Sequence, residues 1–180
     1  MDLGLKDKVA LVTGASRGLG AATARQLARE GARVALSSRN AEKLSATAEA
    51  IRNETGASII AIPGDVAQAA AIEHMVAETV KQFGGLDILV TNSGGPPAGG
   101  FDNFDDEAWR SAVNLMLMST VRLIRCALPH LRKSSAGSVL TILLGRPLVH
   151  LNYRQADREA DFRSPCPECG WMPRRAAKPV

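Results

Sequence analysis

Residues 13 to 20, Thr13-Gly14-Ala15-Ser16-Arg17-Gly18-Leu19-Gly20, carry three glycines spaced G-x-x-x-G-x-G between an aliphatic run, Val9-Ala10-Leu11-Val12, and an alanine-rich segment, Ala21 to Arg29. Such a loop can hold a phosphate. Gly14 can turn the chain out of a strand, Gly18 lets a ligand approach the backbone with no Cβ in the way, and Gly20 lets the helix pack close to the strand. The first-turn N–H groups of that helix have no intrahelical partner and sit at the positive end of its macrodipole, where a pyrophosphate fits. The spacing is not the common G-x-G-x-x-G, and a plain strand-to-helix turn also uses glycine. Its place after a strand and before a helix favours the nucleotide reading.

The elements that must position this loop follow from periodicity. Val34 to Ser38, Ser58 to Ile62, Leu86 to Thr91 and Ser138 to Ile142 read as further strands. Between them lie helices over Ala41 to about Asn53, capped by Asn40, with Leu44, Ala48 and Ile51 inward, and over Ala69 to Phe83, with Ile72, Val76 and Val80 inward. Gly94 to Gly100 is a loop, and Asp105 or Asp106 opens a long helix to about Arg132 with Trp109, Val113, Leu117, Val121, Ile124 and Leu128 on one side. Alternating strands and helices predict an α/β, Rossmann-like, doubly wound parallel sheet of order 3-2-1-4-5. The loops after Val12 and Val90 would then meet at the switch point.

The loop Thr13 to Gly20 resembles the cofactor loop of the short-chain dehydrogenase/reductase family, NAD(P)-dependent oxidoreductases on a Rossmann fold. The resemblance runs over residues 7 to 142. It implies that Thr13, Gly14, Ser16, Arg17, Gly18, Leu19 and Gly20 line a dinucleotide. Ser38 and Arg39 stand where an acid would bind the ribose 2′-OH. An arginine there and Arg17 in the loop favour NADP(H) over NAD(H), because a guanidinium fork suits a phosphate dianion; a solvated strand-end arginine is the alternative. Asp65 and Val66 resemble the pair that contacts adenine, Asp65 accepting from the adenine amino group, although an Asp after Pro-Gly also makes turns. Asn92, Ser93 and Gly94 resemble the family's Asn-Asn-Ala-Gly loop, and Asn114 matches the helix asparagine that holds a catalytic water.

The resemblance also implies groups that this chain does not supply. The family's serine falls at Leu143-Leu144-Gly145, and its tyrosine and lysine fall near Asp157 and Asp161. The one tyrosine, Tyr153, is followed four residues on by Asp157, which would raise a phenol pKa. Turnover is therefore expected to be impaired, whether the substrate class is a carbonyl or an alcohol. The remaining reading of the chain is a non-catalytic nucleotide-binding protein or an aberrant product.

Composition divides the chain at Ile142. Residues 1 to 142 make one expected domain. Residues 143 to 180 show neither periodicity and gather arginine, proline and cysteine, which reads as an irregular basic tail of frame-shifted or otherwise aberrant origin. Family strands, helices and oligomer contacts beyond residue 142 are not matched, so a homo-oligomer does not carry over. Cys166-Pro167-Glu168-Cys169 is one C-x-x-C knuckle with only His150 near it, too few ligands for tetrahedral zinc. The net charge of +4 is mild, no nucleic-acid motif is present, and no run reads as a membrane span or signal peptide. With cysteines too few for a disulfide framework, a cytoplasmic location is the expectation.

Overall fold

The computed structural model describes residues 3–99 and 101–142. The sequence-based readings at Leu143 to Gly145, His150, Tyr153, Asp157, Asp161, Cys166 and Cys169, and the whole of the tail, lie outside the described residues.

Strands β1 (Val9–Thr13), β2 (Arg33–Ser38), β3 (Ile59–Pro63), β4 (Ile88–Thr91) and β5 (Ser138–Thr141) form one sheet in the order β3-β2-β1-β4-β5, as expected. All four pairings are parallel, with Thr13 opposite Ser37 and Val12 opposite Val90 in the central register. A parallel sheet needs both faces covered, and every residue of β1 is buried accordingly.

Helices α1 (Gly18–Arg29) and α2 (Ala41–Thr55) cover one face, where Ala24, Ala28, Leu44, Ala48 and Ile51 pack on Ala10, Val12, Val34 and Leu36. Helix α3 (Ala69–Phe83) and the later helix cover the other, where Ile72, Met75 and Val76 join Leu123, Ala127 and Leu131 against Val9, Leu11 and Leu89. The helix ends obey local chemistry. Asn40 Oδ1 accepts from Lys43 N at 2.8 Å, and Gly56 and Gly84 close α2 and α3 at φ of 67° and 82°. The inward stripe expected for α2 is fully buried; in α3, Ile72 and Val76 are buried and Val80 packs half-buried against the core.

The long helix departs from expectation. It runs as α4 (Asp106–Val113), a π-helical segment over Asn114–Met118, and α5 (Ser119–Leu131), opened by Asp105, whose Oδ1 accepts from Ala108 N at 2.9 Å. Of the six residues expected on one side, Val121, Ile124 and Leu128 are half-buried, and Ile124 packs against the core. Trp109, Val113 and Leu117 are exposed, Leu117 by 58%, while Ser119, Leu123, Ala127 and Leu131 are buried. The π turn inserts one residue into the repeat, so a stripe drawn at 3.6 residues per turn through both halves falls out of phase with the packed face. Hydroxyls fill the slipped ladder: Thr120 Oγ1 donates to the Met116 carbonyl at 3.2 Å, and Ser119 Oγ donates to that of Leu115.

The helix Asp106–Leu131 contains an 18-residue window that is long and apolar enough to cross a membrane, although Arg110, Arg122 and Arg125 interrupt the helix. Length and composition are all that this criterion uses; Leu123, Ala127 and Leu131 of this helix pack into the core beside α3.

Candidate cofactor site at the switch point of the sheet

The loops after β1 and β4 meet where the strand order reverses, and Asn92 fastens them. Thr13 Oγ1 donates to the Asn92 carbonyl at 2.8 Å, Asn92 N donates to Thr13 Oγ1 at 2.9 Å, and Asn92 Nδ2 donates to the Gly14 carbonyl at 3.2 Å. That clasp dictates two glycines. A Cβ on Gly14, at φ 60°, would lie 2.7 Å from Asn92 Nδ2; one on Gly20 would lie 2.4 Å from the Gly14 carbonyl oxygen. Gly20 thus serves the approach of α1 to the end of β1 and to Asn92 together.

Gly18 differs from both. Its φ is also 60°, but a Cβ there would meet nothing within 4 Å. The backbone at Gly18 therefore faces open space. Helix α1 starts with Arg17 extended before it, no side-chain cap and no acidic residue in its first turn. Its leading N–H groups and dipole therefore face the loop uncompensated by the protein's own side chains. The loop is braced from behind by Ala15 N, which donates to the Ser37 carbonyl at 3.0 Å, and by Thr47 of α2, whose hydroxyl lies 3.0 Å from the Ser16 carbonyl and 2.9 Å from that of Lys43.

Around this loop the other expected residues take definite places. Arg17 and Leu19 are exposed on its outer side, Leu19 by 55%. Ser38 ends β2, its hydroxyl 3.4 Å from the Asn40 carbonyl, and Arg39 follows it exposed. The Arg39 guanidinium reaches over to the loop after β4: a Cβ on Gly94 would sit 3.8 Å from its Nη2. Ser93 is half-buried beside Asn92. At the end of β3, Asp65 Oδ1 accepts from Ala67 N at 2.9 Å, the turn bond expected of an Asp after Pro-Gly, and Val66 is buried beneath it. Asn114 lies away from the glycine loop, at the head of the π segment, where its Nδ2 donates to the Ala67 carbonyl at 3.1 Å.

Beyond Arg39 a groove of about 660 Å³ opens between the loop after β4 and the long helix, walled by Pro96, Pro97, Phe104, Trp109 and Met116. Its walls are apolar, with the guanidinium at one end. Among the described residues no group of three or more His, Cys, Asp or Glu side chains could hold a metal ion.

Sequence reasoning had no reason to single out Thr47 or Arg122. Thr47 reads as an ordinary helix residue. Arg122, eight residues after Asn114, reads as a solvated one, yet its Nη1 donates to Asn114 Oδ1 at 2.6 Å. The signal available was the hydroxyl pair Ser119-Thr120 beside Asn114, a hint that the helical ladder is perturbed there.

A doubly wound sheet with a glycine loop and a bare helix N-terminus at its switch point defines a nucleotide-binding α/β protein. The chain belongs to the short-chain dehydrogenase family, whose family model, described as short chain dehydrogenase, matches residues 8–144. That family comprises NAD(P)-dependent oxidoreductases. L-fucose dehydrogenase of Mus musculus is 39% identical over 136 residues, 75% of this chain and 48% of the relative. Dehydrogenase/reductase SDR family member 4 of Sus scrofa is 36% identical over 139 residues, 77% and 50% of the two chains. Among solved structures, L-sorbose reductase from Gluconobacter frateurii, complexed with NADPH and L-sorbose, superposes with a TM-score of 0.75 at 33% identity, covering 78% of this chain and 54% of that one. A short chain dehydrogenase from Burkholderia cenocepacia in complex with NADP gives 0.71 at 36% identity, over 76% and 55%. The chain spans about half the length of these relatives.

Proposed function

We propose that residues 3–142 form an NADP(H)-preferring cofactor domain whose family chemistry is carbonyl reduction or alcohol oxidation, and that this chain itself turns over poorly. The observation that carries the cofactor reading is the bare N-terminus of α1 facing a loop whose Gly18 leaves open space. A pyrophosphate there would accept from the loop and first-turn N–H groups. Arg39, held over Gly94, and Arg17 on the outer side of the loop would flank the adenosine ribose and pair with a 2′-phosphate. Asp65 would accept from the adenine amino group, and Ser93 and Gly94 would lie along the dinucleotide. The NADP and NADPH complexes of two relatives support this choice.

Bound there, the dinucleotide supplies or takes the hydride. The groove walled by Pro96, Pro97 and Trp109 would receive a small carbonyl or alcohol, its apolar walls excluding water from the reacting carbon. The missing part is proton transfer. Leucines and aspartates stand at the positions where the family places serine, tyrosine and lysine, and neither leucine can hydrogen-bond a carbonyl oxygen. A role for Asn114 in holding a water would then have no tyrosine to serve.

The test is calorimetry of the 180-residue chain with NADPH and NADH, repeated on Arg39→Ala. We expect tighter NADPH binding, weakened about tenfold by the substitution with little change for NADH. Equal affinities overturn the preference; binding of neither overturns the cofactor reading. Oxidation of NADPH with a panel of small aldehydes and ketones at rates typical of enzymes, above about 1 per second, would overturn the impairment.

A further inference from the structure

The turn after β3 is held by a helix from nearly fifty residues further along the chain. Asn114 Nδ2 donates to the Ala67 carbonyl at 3.1 Å, Arg122 Nη1 donates to Asn114 Oδ1 at 2.6 Å, and the same Nη1 lies 3.4 Å from the Ala67 carbonyl. These groups close a triangle that is half-buried on all three corners. The π turn makes the reach geometrically natural. Eight residues along a regular helix leave two side chains about 80° apart, and one inserted residue brings Arg122 back over Asn114.

The charge of Arg122 goes to two neutral oxygens. Among the described residues no carboxylate lies within ion-pair distance of it. Drawing a guanidinium partly out of water costs free energy, and the hydrogen bonds that offset the cost go to the Asn114 amide oxygen and to the Ala67 carbonyl that Asn114 also holds. The Ala67–Gln68 peptide closes the turn, Gln68 N donating to the Asp65 carbonyl at 2.9 Å, and the peptide before it supplies Ala67 N, which donates to Asp65 Oδ1 at 2.9 Å. Ala67 is gripped at its carbonyl by the helix and at its N–H by the Asp65 carboxylate.

We propose that Arg122 is a positioning residue for the adenine end of the dinucleotide site, acting through Asn114 and the Ala67 peptide on the Asp65–Val66 turn. The inference rests on the cofactor reading above and adds a residue that touches no part of the ligand. Arg122 fixes the oxygen of Asn114, Asn114 fixes the Ala67 carbonyl, and the Ala67 N–H fixes the carboxylate that adenine meets. Each polar atom of the Asn114 amide makes one bond of this chain, Nδ2 to the Ala67 carbonyl and Oδ1 from Arg122, so the side chain can relay position. The glycine loop and Arg39 are not on this path, so the phosphate contacts stand apart from it.

The experiment uses the 180-residue chain, with NADPH, adenosine 2′,5′-bisphosphate and inorganic pyrophosphate titrated against wild type, Arg122→Met, Arg122→Lys and the double variant Arg122→Met/Asn114→Ala. Amide hydrogen exchange is followed at residues 65–68. Arg122→Met weakens NADPH and the bisphosphate by the same factor, about tenfold, the loss of one charge-assisted hydrogen bond. Pyrophosphate binding is unchanged, and the Ala67 and Gln68 amides exchange faster. Arg122→Lys recovers part of the loss, because an ammonium can still donate to one of the two oxygens. Adding Asn114→Ala costs nothing further, as expected of residues in one series. A folded Arg122→Met that binds the bisphosphate as wild type does overturns the proposal, as does a loss confined to NADPH or a full additional loss in the double variant. If Arg122→Met does not fold, Arg122→Lys and Arg122→Gln take its place in the same comparison. Wild type binding neither nucleotide sinks the cofactor reading itself, whereas wild type binding with indifferent Arg122 variants sinks the relay alone.

Discussion

The two halves of the described chain spend their apolar residues differently. From β1 to β4 the large side chains are inside: Leu11, Leu36, Leu44, Ile51, Ile72 and Met75 show no measurable exposure. After β4 the same residue types line the outside, with Trp109, Val113 and Leu117 on the helix and Val139 and Leu140 on the edge strand all at least 37% exposed. The first half closes its core with α1, α2 and α3 on both faces of its four strands. The second half has one long helix for its single strand, β5, and α5 buries only the face carrying Leu123, Ala127 and Leu131. Stability should therefore reside in the half that holds the glycine loop, and substitutions should reveal that imbalance.

The largest effect is expected at Leu11. Leu11→Ala empties a fully buried site between β2, β4 and the α3 layer and should cost about 3 kcal/mol or more in urea melts. A loss below about 1 kcal/mol would mean that the first half repacks easily and the comparison is too sharp. Next comes Gly20→Ala, where the new methyl would press on the Gly14 carbonyl and Asn92. The expected cost is about 1–3 kcal/mol, and calorimetry should show NADPH binding largely lost even in the folded fraction. Retained binding would separate the clasp from the cofactor loop.

Asp87 joins the halves and gives a pH-dependent test. Partial burial pushes its carboxyl pKa up, but donation from Ser134 Oγ and Val9 N, with the charges of Lys8 and Arg33, outweighs burial and holds it below the ordinary value. A depressed pKa means that its share of stability is fully present above the unfolded value of about 4 and is lost as pH falls through the folded value. Asp87→Asn should leave a shallower fall of Tm with acid below about pH 4. An unchanged acid limb would show that the joint between β1, β4 and the end of α5 carries no such linkage. The smallest effect is expected at Leu117→Ser, within about 0.5 kcal/mol of wild type, since an exposed side chain forfeits little. A cost matching that of Leu11→Ala would mean that the outer stripe of the second half is covered in solution.

Where the sequence was legible, local signals agreed with tertiary ones. Asn40 caps α2, and Leu44, Ala48 and Ile51 form its buried stripe, so that helix could be read without its neighbours. The strand order followed from the parallel alternation alone. Part of the long helix was misread for a definite reason: nothing in the types of Asn114 to Met118 announces an inserted residue, and the insertion rotates every later side chain, while α4 ahead of it buries no residue at all. Arg122 was invisible for the same cause. Glycines show the other limit. The sequence already separates Gly18, open to an approaching ligand, from Gly14 and Gly20; what it does not reveal is that both of the latter make room for Asn92.

The Asn92 clasp joins residues 79 positions apart. Closing a loop of that length is entropically slow, and the contacts that reward closure arrive only when β4 pairs with β1. The glycine loop can therefore exist as a local turn early in folding, but its backing by Asn92 cannot. Refolding followed by NADPH capture should lag behind refolding followed by helix signal, and a nascent chain still lacking β4 should hold the loop only by its bonds to Ser37 and Thr47, without the Asn92 clasp.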